Sequence, residues 1–212
     1  AVAHVYQNGL WGSWMFHVGS VDTDAKTISF ISGGGQEARG GGISTQPFYV
    51  EGVKEALDDE GEWWLDREKR ILYVYPNSTW DDDINDLTFV APQLQNLLRV
   101  ENSNNITISN IEFTHAATTY MEKYKVPSPG DWAYYEGAAV EIVDSRNITF
   151  TNNVLHRNGG NDMILLGAVK NANISGNSFS YSGDSSILTV GRNFDLADGT
   201  GADYPSDITI KS

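Results

Sequence analysis

Residues 140–155 read VEIVDSRNITFTNNVL, and the chain writes this phrase again on either side. Residues 164–179 read ILLGAVKNANISGNSF, and residues 98–113 read LRVENSNNITISNIEF. Each copy has short alternating runs, Asn-rich joints and a Leu or aromatic residue at its end. A slide of 24 residues lays Val140 on Ile164, Ile142 on Leu166, Phe150 on Ile174 and Leu155 on Phe179. The first copy needs a slide of 42, which reads as 24 with an 18-residue insertion; Leu98, Val100, Ile108 and Phe113 then fall in the same columns. A fourth copy runs from Leu188 and Val190 to Ile208 and Ile210, stretched by 12 residues.

Self-similarity at a fixed period marks a stacked solenoid, in which each turn is too small to bury its apolar face alone. Strict alternation turns Val140 and Ile142 inward and Glu141 outward. Asparagine recurs at the joints because it tolerates left-handed backbone and bonds locally. The fold class expected is all-β, a right-handed parallel β-helix over residues 98–212. Residues 207–212, DITIKS, align with 147–152, NITFTN, so the chain is expected to stop within a strand whose edge further chain or a subunit would cover.

Residues 1–97 are less regular and are expected to hold an N-terminal β-helix portion with an inserted module. Segment 48–76 reads as a short helix, a DDEG turn and two strands, 62–66 and 71–75, forming a helix and β-hairpin insertion. The glycine run GGGQEARGGG (33–42) lacks the Lys-Ser/Thr of a phosphate loop and reads as a turn.

Composition narrows the function classes. Asp and Glu number 28 against 14 Lys and Arg, a formal net charge of −14. Such a surface repels phosphate backbones and anionic polymers, which excludes nucleic acid and leaves neutral sugars and divalent cations. Cysteine is absent, which removes disulfides and thiolate metal sites. No apolar run approaches the roughly 18 residues of a spanning helix, so no membrane insertion is expected.

Four segments carry a resemblance: GGGQEARGGG (33–42), FYVEGVKEALDDEGEWWLD (48–66), FTHAATTYMEKYKVPSPGDWAYYEGAAV (113–140) and YSGDSSILTVGR (181–192). Together they resemble a family of right-handed parallel β-helix repeat proteins that are secreted and carbohydrate-active-like, without an assigned activity. The resemblance implies an extracellular protein, secreted or at the cell surface, and does not choose between enzymes and non-catalytic surface proteins.

The same register gathers candidate chemistry. Glu136, Asp162 and Asp184 are expected at one corner of successive turns. With rungs about 4.8 Å apart, Glu136 and Asp184 would lie roughly 9–10 Å apart, near the upper limit for the acid and base of a glycosidase. The insertion brings Tyr120, Glu122, Trp132, Tyr134 and Tyr135 to that corner, with His156 beside it. Rings for a pyranose face and carboxylates for hydroxyls or proton transfer suit a neutral polysaccharide. A plainer reading stands beside it: Gly-Asn-Asp and Gly-Asp-Ser are ordinary turn tripeptides.

Asn77, Asn105, Asn147 and Asn173 open N-glycosylation triplets, although three of them belong to the repeat. Calcium is conceivable near Asp195, Asp198, Asp203 and Asp207, but the spacing matches no EF-hand. The expectation is therefore no cofactor and no metal. Two functions remain: binding or hydrolysis of neutral carbohydrate, and a non-catalytic structural or adhesive glycoprotein of an extracellular assembly.

Overall fold

Alternating runs become strands wherever a partner is in register, and the chain is almost entirely β. The computed structural model describes residues 1–7, 9–10, 12–36, 46–80, 83–126, 133–192 and 203–211. It divides into two compact units, Ala1–Val90 and Ala91–Ser212.

The first unit does not add turns to a parallel stack, as the sequence led us to expect. Strands β1 (Val2–Tyr6), β2 (Ser13–Asp22), β3 (Thr27–Gly33) and β4 (Phe48–Glu51) form an antiparallel sheet in the order β3-β2-β1-β4. Strands β5 (Trp63–Asp66) and β6 (Ile71–Val74) make the antiparallel pair expected within 48–76. The short helix expected there is only one 3-10 turn, Lys54–Ala56. Gly52 in left-handed conformation (φ 68°) and the turn after Leu57 leave no length for a second turn, and a lone turn of α-helix does not sustain itself.

The second unit is built from the repeat. Its strands are β7 (Leu98–Glu101), β8 (Asn104–Ser109), β9 (Glu112–Thr114), β10 (Val140–Val143), β11 (Arg146–Thr151), β12 (Val154–His156), β13 (Met163–Leu166), β14 (Lys170–Ser175), β15 (Ser178–Ser180), β16 (Ile187–Val190) and β17 (Ser206–Lys211). They lie in three parallel sheets, ordered β16-β13-β10-β7, β17-β14-β11-β8 and β15-β12-β9. Each sheet takes one strand from each of the first three copies, and the first two sheets take one more from the fourth. Ile108, Phe150 and Ile174 stack in one column, and Phe113, Leu155 and Phe179 in another. Phe150, Val140, Ile142 and Leu155 are wholly buried in one apolar cluster.

One expected pairing is corrected. Val140 pairs with Met163 rather than Ile164, and Ile142 with Leu165 rather than Leu166. Two residues, Asp144 and Ser145, join β10 to β11, whereas three, Gly167, Ala168 and Val169, join β13 to β14. The extra residue is taken up at the joint: Gly167 is left-handed (φ 73°), and the Ala168 N–H donates to Asp144 Oδ1 at 2.8 Å. A one-residue shift turns alternate side chains to the other face. Met163 and Leu165 therefore join the core of Val140 and Ile142. Ile164 and Leu166 cluster instead with Val143, Tyr134, Ala138 and Val190, and still they are buried.

Buried and half-buried asparagines bind one turn to the next. Asn153 Nδ2 donates to Ile108 O at 3.1 Å, and its Oδ1 accepts from the Ile111 N–H at 3.0 Å. Asn177 repeats the arrangement one turn on, with Nδ2 donating to Phe150 O at 2.8 Å. These amides satisfy backbone groups that the joints would otherwise leave unpaired in the interior.

Candidate functional site

Where a turn closes between the third and first sheets, glycine is required. A side chain on Gly159 would meet Thr118 N at 2.6 Å, and one on Gly183 would meet the Gly159 carbonyl carbon at 2.5 Å. The tripeptides that suggested a site are thus turn chemistry in part, set by close stacking. Asn161 adds to the joint: its Nδ2 donates to Gly137 O at 2.8 Å and its Oδ1 accepts from the Ser185 N–H at 3.1 Å.

The three carboxylates proposed from the sequence have unlike surroundings. Asp162 is buried, its Oδ1 accepting from Asn158 Nδ2 at 2.7 Å and its Oδ2 from the Ser182 hydroxyl. Burial raises its pKa, against the opposing pull of the hydrogen bonds from Ser182 and Asn158. Glu136 is held by Lys125 Nζ at 2.5 Å and accepts from the Tyr134 hydroxyl at 3.4 Å. Asp184 is exposed and accepts from the Tyr124 hydroxyl at 2.9 Å. Asp162 thus offers no carboxylate to a surface groove, because Asn158 and Ser182 lock it in the interior.

The inserted segment does reach this corner. Lys125 and Tyr134 pair as an isolated antiparallel bridge. The Tyr124 ring lies 6.1 Å from that of Tyr135. Tyr135 donates to Gln95 Oε1 at 3.2 Å, and Gln95 Nε2 donates to Glu122 Oε1 at 2.9 Å. Tyr134 is buried against Ala138, Ile164 and Leu166, and burial with the Glu136 charge pushes its phenol up to about 12. Tyr120 is half-buried. Trp132 lies outside the described residues. Tyr124, which sequence reasoning did not single out, is the ring that meets Asp184; nothing in the spacing separates it from its neighbours.

His156 Nε2 sits 2.6 Å from Glu112 Oε1, and its ring lies edge-on to His115 at 6.3 Å. Three of the four glycosylation triplets open on engaged side chains. Asn77 Oδ1 accepts from the Thr79 N–H and hydroxyl at 2.9 and 2.6 Å. Asn147 Nδ2 donates to Asn105 Oδ1 at 3.1 Å, and Asn171 Nδ2 to Asn147 Oδ1 at 2.7 Å, making an amide ladder on the outer face. Asn173 is exposed on the same face. Asp195 and Asp198 lie outside the described residues, while the Asp203 carbonyl accepts from the Arg192 N–H at 3.0 Å.

A family model described as periplasmic copper-binding protein (NosD) matches residues 62–193, well over half of the chain. The chain belongs to the NosD family. No curated protein and no solved structure matches it. The NosD family has a parallel β-helix repeat, in agreement with the three parallel sheets. Its description names the periplasm, which agrees in coarse terms with a protein outside the cytoplasm, and no described helix is long and apolar enough to cross a membrane. The carbohydrate-active setting implied by the resemblance finds no support in it.

The NosD description also corrects the expectation of no cofactor, because it names copper. Copper takes imidazole, thiolate or thioether donors, and every histidine and methionine of the chain lies among the described residues. His4 stacks on Tyr49 and pairs with Glu51. His17 bonds the Ser32 hydroxyl, His115 the Thr114 hydroxyl and His156 the Glu112 carboxylate. Among the described residues, no group of three or more His, Cys, Asp or Glu side chains is arranged to hold a metal ion. Among the described residues, the histidines and carboxylates do not fit copper in this arrangement.

Proposed function

We propose that the protein is an extracytoplasmic right-handed β-helix that binds neutral carbohydrate at the corner covered by its inserted segment. The observation that carries this reading is the Tyr124 hydroxyl on Asp184 with the Tyr135 ring alongside. An aromatic face beside a carboxylate and an amide, Gln95, is the chemistry a pyranose requires: apolar contact for one ring face, acceptors and donors for hydroxyls. Binding is favoured over hydrolysis. A glycosidase needs two carboxyl groups flanking the scissile bond, whereas Asp162 is buried and Glu136 is paired with Lys125.

Calorimetric titration of the protein with a panel of neutral oligosaccharides tests the proposal. At least one glycan should bind, with affinity reduced roughly tenfold by Asp184→Asn through loss of a charge-assisted hydrogen bond. Binding of none, with the fold intact, would leave the structural or adhesive role in its place.

A further inference from the structure

The joints of the parallel sheets force the backbone into the left-handed region in four columns. Asn102, Asp144 and Gly167 form one, Asn105, Asn147, Asn171 and Asp207 a second, and Asn110, Asn152 and Gly176 a third, all with φ between 44° and 73°. Every position in these columns carries Asn, Asp or Gly, the residues that adopt such a backbone at least cost. The fourth column is different: it holds His115 (φ 59°), Arg157 (φ 52°) and Tyr181 (φ 54°). Histidine is a tolerated choice, but arginine and tyrosine are not what the backbone asks for. Leu10, Lys26 and Arg70 take the same backbone in the first unit, but within the parallel stack, among the described residues, this column alone departs from Asn, Asp and Gly, which points to a use for its side chains beyond the fold.

What they present is specific. Tyr181 is 79% exposed, and the Arg157 guanidinium carbon lies 5.8 Å from its ring centre, within cation–π range. Among the described residues no carboxylate pairs with Arg157. Its planar fork therefore stays available for two parallel hydrogen bonds to an oxyanion. Glu112, which faces the neighbouring His156, is held by it at 2.6 Å. The chain's net charge of −14 does not forbid an anion here, since bulk charge is screened beyond about 8 Å while the fork acts at contact.

We infer that the His115–Arg157–Tyr181 column is a binding face for an acidic sugar, with Arg157 taking the carboxylate of a uronic acid residue and Tyr181 the ring. Tyr181 stands three residues before Asp184, but the inference rests on Arg157 and Tyr181 alone and not on the proposed neutral-sugar reading. Its test is titration of the whole protein with a short oligomer of galacturonic acid, a neutral galactose oligomer of equal length and inorganic phosphate. The uronate oligomer should bind the parent protein. Arg157→Asn installs the residue that the other joints use. It should weaken uronate binding roughly tenfold or more, leave any neutral-sugar binding unchanged, and hold or raise the thermal midpoint. Arg157→Lys keeps the charge but loses the fork, and should also weaken binding. No uronate binding by the parent overturns the inference. So does an Arg157→Asn protein that melts lower yet binds as before, and so does displacement of the uronate by an equal concentration of phosphate.

Discussion

Tyr124 donates its phenolic hydrogen to Asp184 Oδ2 at 2.9 Å, although the two stand 60 positions apart in the chain. The contact fastens the inserted segment to a turn that follows two strands later in each sheet it joins. Burial first, and then the Asp184 charge, push the Tyr124 phenol far above its ordinary value. Tyr124 should therefore ionise late in an alkaline absorbance titration. Asp184→Asn removes a negative charge that disfavours phenolate, so the Tyr124 transition should move down. An unchanged titration curve in that variant would show that the contact does not form.

Asp162 should leave a signature in the dependence of stability on pH. Burial raises its folded value above the unfolded one, which is about 3.9. Such a group favours folding while protonated, and that contribution is lost as pH rises through the folded value. Asp162→Asn cannot ionise, yet can still accept from Asn158 and donate to Ser182. Urea melts at steps from about pH 4 to pH 7 should show a flatter profile for this variant than for the parent, and parallel profiles would count against the buried carboxyl.

The pairing of β10 with β13 can be read chemically, since the chain has no cysteine of its own. Adjacent strands lie about 4.8 Å apart, within disulfide range when the two residues are direct partners. Glu141→Cys with Ile164→Cys should cross-link on oxidation, whereas Glu141→Cys with Leu165→Cys should not. The opposite result would restore the register first read from the sequence.

Phe150 and Asn153 test two different supports of the stack. Phe150→Ala empties a fully buried site and should cost about 3–5 kcal/mol. Asn153→Ala strands the Ile111 N–H and the Ile108 carbonyl and should cost on the order of 3 kcal/mol. Equilibrium urea unfolding measures both, and a loss below about 1 kcal/mol for either would contradict its placement.

Much of the second unit was legible because its copies share length as well as pattern. The slide of 42 holds for all three strands of the first copy, and the slide of 24 for β11 with β14 and β12 with β15. It failed at β13 because Met163, Ile164, Leu165 and Leu166 are all apolar, so alternation carries no phase there. The left-handed asparagines were legible from turn chemistry, and Asn102, Asn105, Asn110, Asn147, Asn152 and Asn171 adopt that conformation. The candidate site was less so. Whether Asp162 points in or out depends on Asn158 and Ser182, which pattern alone cannot rank. The first unit carries no repeat, and its antiparallel pairing joins strands as distant as β1 and β4.

The inserted segment lies between β9 and β10, yet β10 still meets β7 residue for residue. The stretch between β16 and β17 likewise leaves β17 in step with β14. A loop pays only about 0.6 kcal/mol for each doubling of its length, and here its ends are pinned by ladders that do not depend on it. Each joint is in effect a socket: foreign peptides of similar length, grafted there, should be displayed in rows at the rung spacing without retuning the scaffold beneath them.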